Sequence, residues 1–227
     1  MKRNPSKNLR DKKPDLSPFL FHFTSGDNAF DNIISIVNDK KLICKMNIEE
    51  YRKSICFTES PLSLSIAVFD YMYSYSTPCF SKYGIGFKRD VLVRSCGARP
   101  VIYGDGDEYN LLPKELKWRF EALDVEIRDW QWLREWRIKG KVFDFSQISL
   151  EDIIIIAPTK DDLKKIVAYS EFEEFDFDVD HGVCVPYPIY KLSREWKGIS
   201  FEELSFINND TELEKLTDLQ EIGEKVE

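Results

Sequence analysis

The chain has 227 residues, a formal net charge of −8, and 43% hydrophobic and 14% aromatic residues, a globular composition that excludes an intrinsically disordered protein. No apolar run approaches the roughly 20 residues of a membrane-spanning helix, so we expect no membrane partner. Five cysteines without a C-x-x-C spacing, only two histidines and no signal peptide predict a cytoplasmic protein without a metal site.

The distribution of charge divides the chain into three parts. Residues 1–17 are basic and poor in apolar side chains, which predicts a flexible arm. Residues 18–200 contain no repeat and no linker, so they are predicted to form a single domain. Residues 201–227 are acidic and are predicted to be helical.

Alternating or helically spaced apolar residues predict the elements of the first half. Residues 19–24 alternate as in a strand, and residues 30–37 have the spacing of an amphipathic helix. Residues 55–59 form the next predicted strand. A Ser-Pro pair stops that strand, and residues 62–72 continue as a helix.

The second half mixes short strands with helices. Strands are predicted at 83–87, 91–94 and 100–103, a helical stretch at 113–130, and a hairpin over 133–145 with its turn at Gly140. The wholly apolar run 153–157 is typical of a strand buried on both faces, and residues 161–169 have helical spacing. Because strands and helices do not alternate regularly, the fold class is predicted to be α+β.

Candidate functional residues lie at three places along these elements. Alternation places His22 and Thr24 on one face of a strand, where they could hold a ribose diol, although a buried and satisfied histidine is the simpler reading. Thr58 ends a strand, which is a frequent position for site residues, but the turn after it could equally be only a helix start. Arg52 follows a tyrosine and could bind a pyrophosphate.

Glu135 lies between tryptophans, on the same strand face as Arg137. A carboxylate held there as an anion could stabilise the positive charge of a reacting sugar, as glycosidase carboxylates do. The alternative is a cross-strand ion pair on a solvated face.

In order and spacing, these segments resemble two known families. The segment His22-Phe-Thr24, the helix after it and the segment Cys56-Phe-Thr-Glu-Ser-Pro-Leu62 resemble the opening of DarT-like ADP-ribosyltransferases. The segment Arg134-Glu-Trp-Arg137 resembles the part of that family that holds the catalytic glutamate. The segments at 56–62, 83–87 and 134–137 together resemble the AbiGi-like abortive-infection proteins of bacteria more closely still. The resemblance covers about residues 19–170.

The resemblance implies an ADP-ribosyltransferase-like mixed β-sheet core, a split sandwich with short flanking helices, that uses NAD. It implies a catalytic role for Glu135 and cofactor contacts from His22, Thr24, Arg52 and Thr58. The protein would then be a toxin or phage-defence effector acting on a protein or nucleic-acid acceptor. The alternative is a non-catalytic antitoxin or phage-sensing protein that binds a cognate toxin. We expect His22 and Glu135 to line one pocket with aromatic walls.

Overall fold

A computed structural model of the chain describes residues 13, 15–72, 80–124, 129–172, 176–178, 183–185, 188–192, 196–204, 210 and 213. Its strands are β1 (Phe19–Phe23), β2 (Lys41–Ile43), β3 (Ser54–Thr58), β4 (Gly84–Lys88), β5 (Arg99–Pro100), β6 (Ile102–Gly104), β7 (Phe120–Ala122), β8 (Glu135–Lys139), β9 (Val142–Asp144), β10 (Ile153–Ala157), β11 (Ala168–Phe172), β12 (Asp176–Asp178), β13 (Val183–Val185), β14 (Pro188–Leu192) and β15 (Lys197–Ser200). Its α-helices are α1 (Ala29–Asp39), α2 (Leu62–Met72), α3 (Arg89–Ser95), α4 (Glu108–Leu111), α5 (Lys160–Val167) and α6 (Phe201–Leu204).

A seven-stranded sheet with the order β15-β10-β4-β1-β3-β8-β5 forms the centre of the fold. Strands β10 and β15 run parallel, and the other neighbouring pairs run antiparallel. Shorter pairs, such as β2 with β9 and β6 with β7, flank this sheet. The architecture is therefore mixed α and β, as the sequence predicted. Among the described residues, no helix is long and apolar enough to cross a membrane.

Both faces of the central sheet are buried, because side chains alternate along each strand. On one face, which we call the first face, Leu20 and Ile155 pack in a cluster that contains residues of α1 and α5. On the second face, Phe21 and Ile154 pack in a cluster that contains residues of α2 and α6. All five residues of β10 are buried, which explains the uninterrupted apolar run in the sequence.

Two glycines of β4 leave room for aromatic rings of β1 on the second face. A Cβ atom on Gly86 would lie 2.7 Å from Cδ1 of Phe21, and one on Gly84 would lie 2.6 Å from Cδ1 of Phe23. The rings therefore occupy the space that a side chain on β4 would fill. This packing fixes two aromatic rings beside the cavity described below.

Residues on both sides of the predicted domain boundaries contact the same core. The buried carboxylate of Asp210 accepts hydrogen bonds from Ser17 Oγ at 2.5 Å, from Leu62 N at 2.8 Å and from Ser63 N at 3.0 Å. It thereby caps the N-terminus of α2, whose first backbone N–H groups have no partner inside the helix. Leu213 is also fully buried. Ser17 of the predicted arm and Asp210 and Leu213 of the acidic segment thus belong to the folded body.

Three predicted elements differ from the structure. Residues 91–94, predicted as a strand, lie in helix α3, where Arg94 Nη2 contacts Asp90 Oδ2 at 3.1 Å one turn away. The predicted helical stretch 113–130 contains only a short 3-10 helix at Lys117–Arg119 before β7 begins. The predicted hairpin is also wrong, because β9 pairs with β2 and not with β8.

Candidate functional site

The sheet opens between β1 and β3. All five residues of β1 pair with β4, but only Phe21 pairs with β3, opposite Thr58. The imidazole of His22 bridges the two strands, since its Nδ1 lies 2.8 Å from the carbonyl oxygen of Cys56. A side chain therefore replaces the backbone ladder at this point, and the strands separate next to it.

A cavity of about 300 Å³ lies at this opening. This volume is at the lower end of the roughly 300–1,000 Å³ that small-molecule sites enclose. Its titratable and hydroxyl-bearing lining residues are His22, Cys56, Thr58, Ser60, Ser65, Glu121 and Glu135. Its aromatic lining residues are Phe21, Phe23, Phe57, Phe69, Phe80, Trp130 and Trp132. His22 and Glu135 both line this cavity together with aromatic residues, as expected. Strand alternation places the His22 side chain on the first face, with Leu20, and the Glu135 side chain on the second face, with Thr58, so the two approach the opening from opposite faces of the sheet. The roles given to these residues stay predictions.

The hydrogen bond of His22 determines what its ring can do. A carbonyl oxygen only accepts hydrogen bonds, so Nδ1 of His22 carries the proton and donates it to Cys56. Burial lowers the pKa of His22 below its ordinary value, and the hydrogen bond to Cys56 opposes this only in part. The ring is therefore neutral near pH 7, and Nε2 is a hydrogen-bond acceptor suited to a hydroxyl group.

Glu135 begins β8, directly opposite Thr58 on the neighbouring strand. Its Oε1 lies 2.7 Å from Nε of Arg137, and both side chains are about nine-tenths buried, with 10% and 11% exposed. Arg137 Nη2 also lies 2.5 Å from Glu121 Oε2, and Nη1 donates to the carbonyl oxygens of Trp118 and Phe120. One guanidinium thus joins two carboxylates of the same cavity.

The charges around Arg137 act on each other. Burial disfavours its charged form, but at the high pH where Arg137 would lose its proton, the Cys56 thiolate and the carboxylates of Glu135 and Glu121 outweigh this effect and raise the pKa of Arg137 above its ordinary value. Burial, followed by the charge of Glu135, raises the pKa of Cys56 to about 12. The cysteine is therefore a neutral thiol at pH 7, which is a poor nucleophile.

Hydroxyl groups fix the segment that leads into Glu135. Thr58 Oγ1 donates to the carbonyl oxygen of Leu133 at 2.5 Å, and Ser60 Oγ donates to that of Trp132. The residue before Glu135, Arg134, has a left-handed backbone with φ of 47°, which is uncommon for a residue other than glycine. The hydroxyl of Thr58, predicted to contact the cofactor, is thus engaged with the protein, and it positions the carboxylate and the tryptophan wall.

The structure does not bring Thr24 or Arg52 to the cavity. Strand β1 ends at Phe23, so the alternation that would place Thr24 beside His22 stops there, and the buried Thr24 hydroxyl bonds Ser81 Oγ at 2.8 Å. The guanidinium of Arg52 lies 5.2 Å from the ring centroid of Tyr109, outside the cavity lining. Neither residue is placed to contact a ligand bound beside Glu135.

Sequence reasoning missed Glu121. This residue lies in a stretch that was predicted to be helical, and no motif surrounds it. Only the fold shows that it shares Arg137 with Glu135. Among the described residues, no group of three or more His, Cys, Asp or Glu side chains could hold a metal ion.

Comparisons with known proteins do not assign this chain to a family. No protein-family model, no curated protein and no solved structure matches the chain.

Proposed function

We propose that this protein is an NAD-dependent ADP-ribosyltransferase that transfers ADP-ribose to a macromolecular acceptor. The observation that carries the proposal is a cavity whose lining contains a neutral His22, a buried and ion-paired Glu135, and several aromatic side chains. The role as a toxin or phage-defence effector rests on the family resemblance alone.

The lining residues fit the nicotinamide-ribose half of NAD. Aromatic rings such as Phe23, Trp130 and Trp132 offer flat apolar surfaces to a pyridine ring. The Nε2 acceptor of His22 suits a ribose hydroxyl. A volume of about 300 Å³ encloses a nucleoside, so the adenosine half would lie over the mouth of the cavity.

The reaction assigns each residue a task. NAD, when bound, supplies an ADP-ribosyl group whose bond to nicotinamide breaks as positive charge develops on the ribose. The carboxylate of Glu135 stabilises that charge, and its desolvated position strengthens the effect. Arg137 donates a hydrogen bond to the carboxylate and fixes its orientation. His22 orients the ribose.

Two substitutions separate these tasks. Glu135→Gln keeps the shape of the side chain but removes the charge, so it should lower turnover by about 100-fold or more while NAD binding survives. His22→Ala removes the acceptor and should weaken binding. The assays are calorimetric titration with NAD and transfer of labelled ADP-ribose to protein, RNA and DNA acceptors.

Glu151→Gln is the matched control, because the same chemical change is made at an exposed site outside the cavity lining. It should behave like the wild type in both assays. The proposal fails if the wild-type protein neither binds NAD at millimolar concentration nor transfers label to any acceptor.

A second candidate is a non-catalytic antitoxin or phage sensor on the same fold. The close ion pair between Glu135 and Arg137 favours it, because a carboxylate already neutralised by a guanidinium has less charge to offer a ligand. Under this function the protein would bind a cognate toxin with wild-type strength after Glu135→Gln. NAD turnover by the wild type would exclude it.

A further inference from the structure

We propose that Glu121 is the general base that removes the proton from the attacking group, so that the acceptor is a proton-bearing group such as a hydroxyl and not a carboxylate. The inference rests on the proposed function and deepens it, because it names the chemical class of the acceptor. A carboxylate acceptor would carry no proton and would need no base. A second carboxylate in the cavity is therefore informative about the acceptor.

The geometry places two carboxylates at one edge of one planar group. Nε of Arg137 contacts Glu135 and Nη2 contacts Glu121, and these nitrogens lie side by side on the guanidinium fork. The two carboxylates are therefore close neighbours. Both residues also line the cavity, so a group bound there is within reach of either.

The two carboxylates differ in their surroundings. The side chain of Glu135 is 10% exposed and lies beside Arg137 and Cys56, whereas the side chain of Glu121 is 33% exposed. The group that stabilises positive charge on the ribose must stay an anion, so it cannot also take up the proton in the same step. In sites with paired carboxylates, one carboxylate stabilises the positive charge and the other takes up the proton. Glu121 is the more exposed of the pair and can pass the proton to solvent.

The other polar groups of the cavity are less suited to accept this proton. Burial disfavours the cationic form of His22 and lowers its pKa, and its Nδ1–H donates a hydrogen bond to the carbonyl oxygen of Cys56. Cys56 is itself a protonated thiol. The hydroxyl groups of Thr58 and Ser60 donate to backbone carbonyl oxygens. Glu121 is the carboxyl group of this lining that is partly open to solvent and is not needed to stabilise the charge on the ribose.

In the proposed step, a lone pair of the hydroxyl oxygen forms a bond to the anomeric carbon of the nicotinamide ribose. The bond between that carbon and the nicotinamide nitrogen breaks, and its electron pair leaves with nicotinamide, which becomes neutral. The hydroxyl proton moves to the carboxylate of Glu121 and from there to water. Water itself can replace the acceptor hydroxyl and would give free ADP-ribose.

Azide tests this assignment, because it is a nucleophilic anion at neutral pH with no proton to lose. Nicotinamide release from NAD is measured for the full-length wild type, Glu121→Gln, Glu121→Asp, Glu135→Gln and the control Glu151→Gln. We expect Glu121→Gln to keep its NAD affinity and to lose about 100-fold or more in release. Added azide should restore release and form ADP-ribosyl azide, which mass spectrometry detects. Glu121→Asp should retain part of the activity without azide.

Azide should not restore Glu135→Gln, because that variant lacks charge stabilisation and not a base. If the wild type releases no nicotinamide, the proposed function fails and the role of Glu121 fails with it. If the wild type is active and Glu121→Gln is equally active, only the role of Glu121 is overturned. A loss in Glu121→Gln that azide does not restore also overturns it, because a damaged site would behave in that way.

Discussion

Substituting Arg137 with methionine should destabilise the protein strongly, although the two side chains have similar lengths. The guanidinium is 11% exposed and satisfies the carboxylates of Glu135 and Glu121 and the carbonyl oxygens of Trp118 and Phe120. Methionine donates no hydrogen bond. The variant therefore buries unpaired acceptors and leaves two neighbouring negative charges without their counter-ion.

The size of the effect follows from this environment. Removing one partner of a buried ion pair costs about 3–5 kcal/mol. Glu121 is 33% exposed and can recover part of its hydration, so we expect a loss near the lower limit, about 3 kcal/mol. When Glu121→Gln is added to Arg137→Met, one of the two repelling charges is removed. The double variant should therefore be about 1 kcal/mol more stable than the sum of the two single effects predicts.

Urea unfolding followed by tryptophan fluorescence measures these free energies for the wild type, the two single variants and the double variant. Arg94→Met is the matched control, because Arg94 forms an ion pair with Asp90 but is 73% exposed. It should change the free energy of unfolding by less than about 1 kcal/mol. A loss below about 1 kcal/mol in Arg137→Met, or strict additivity in the cycle, would refute the bridging role of this guanidinium.

Three further predictions concern other buried polar groups. Asp210→Ala should lower the free energy of unfolding by about 2–4 kcal/mol, because the start of α2 loses its cap and buried donors lose their acceptor. Urea unfolding measures this loss, and a change below about 1 kcal/mol would contradict the prediction. Stability should fall as the pH drops below 6.5, because the unfolded chain takes up a proton on His22 at a higher pH than the folded chain, whose His22 pKa is lowered. Urea midpoints at pH 6.5 and about pH 5 should show a smaller fall for His22→Asn, and an equal fall would contradict the assignment. The pKa of Cys56 is raised from 9.0 to about 12 in the folded protein, so native Cys56 should react with iodoacetamide roughly 1,000-fold more slowly than Cys56 of the unfolded chain. Peptide mass spectrometry measures both rates, and equal rates would contradict this prediction.

Elements defined by apolar periodicity were predictable from the sequence. The helices predicted at 30–37 and 62–72 and the strand at 153–157 appear close to their predicted bounds. For the helices, apolar residues recur at helical spacing, and for the strand an unbroken apolar run indicates burial on both faces, so local sequence was sufficient. The predicted face shared by Glu135 and Arg137 also holds, since both contact each other beneath the cavity.

Features that depend on distant partners were not predictable. The β-branched residues Val91 and Val93 favour a strand locally, but their segment forms helix α3 with only Leu92 fully buried. Glu121 belongs to the site through a contact with Arg137, sixteen residues away, that no local pattern encodes. Thr24 was misplaced because the strand ends one residue before it.

The residue that caps α2 is synthesised much later than the helix itself. Leu62 and Asp210 are 148 residues apart, so a growing chain synthesises the helix long before the carboxylate that caps it. Helix α2 carries Ser65 and Phe69, which form part of the cavity wall. Strand β15, at the edge of the central sheet, is also made late. A nascent chain can therefore contain both His22 and Glu135 and still lack a finished cavity. Whatever the protein binds there should be bound only after residue 210 has left the ribosome.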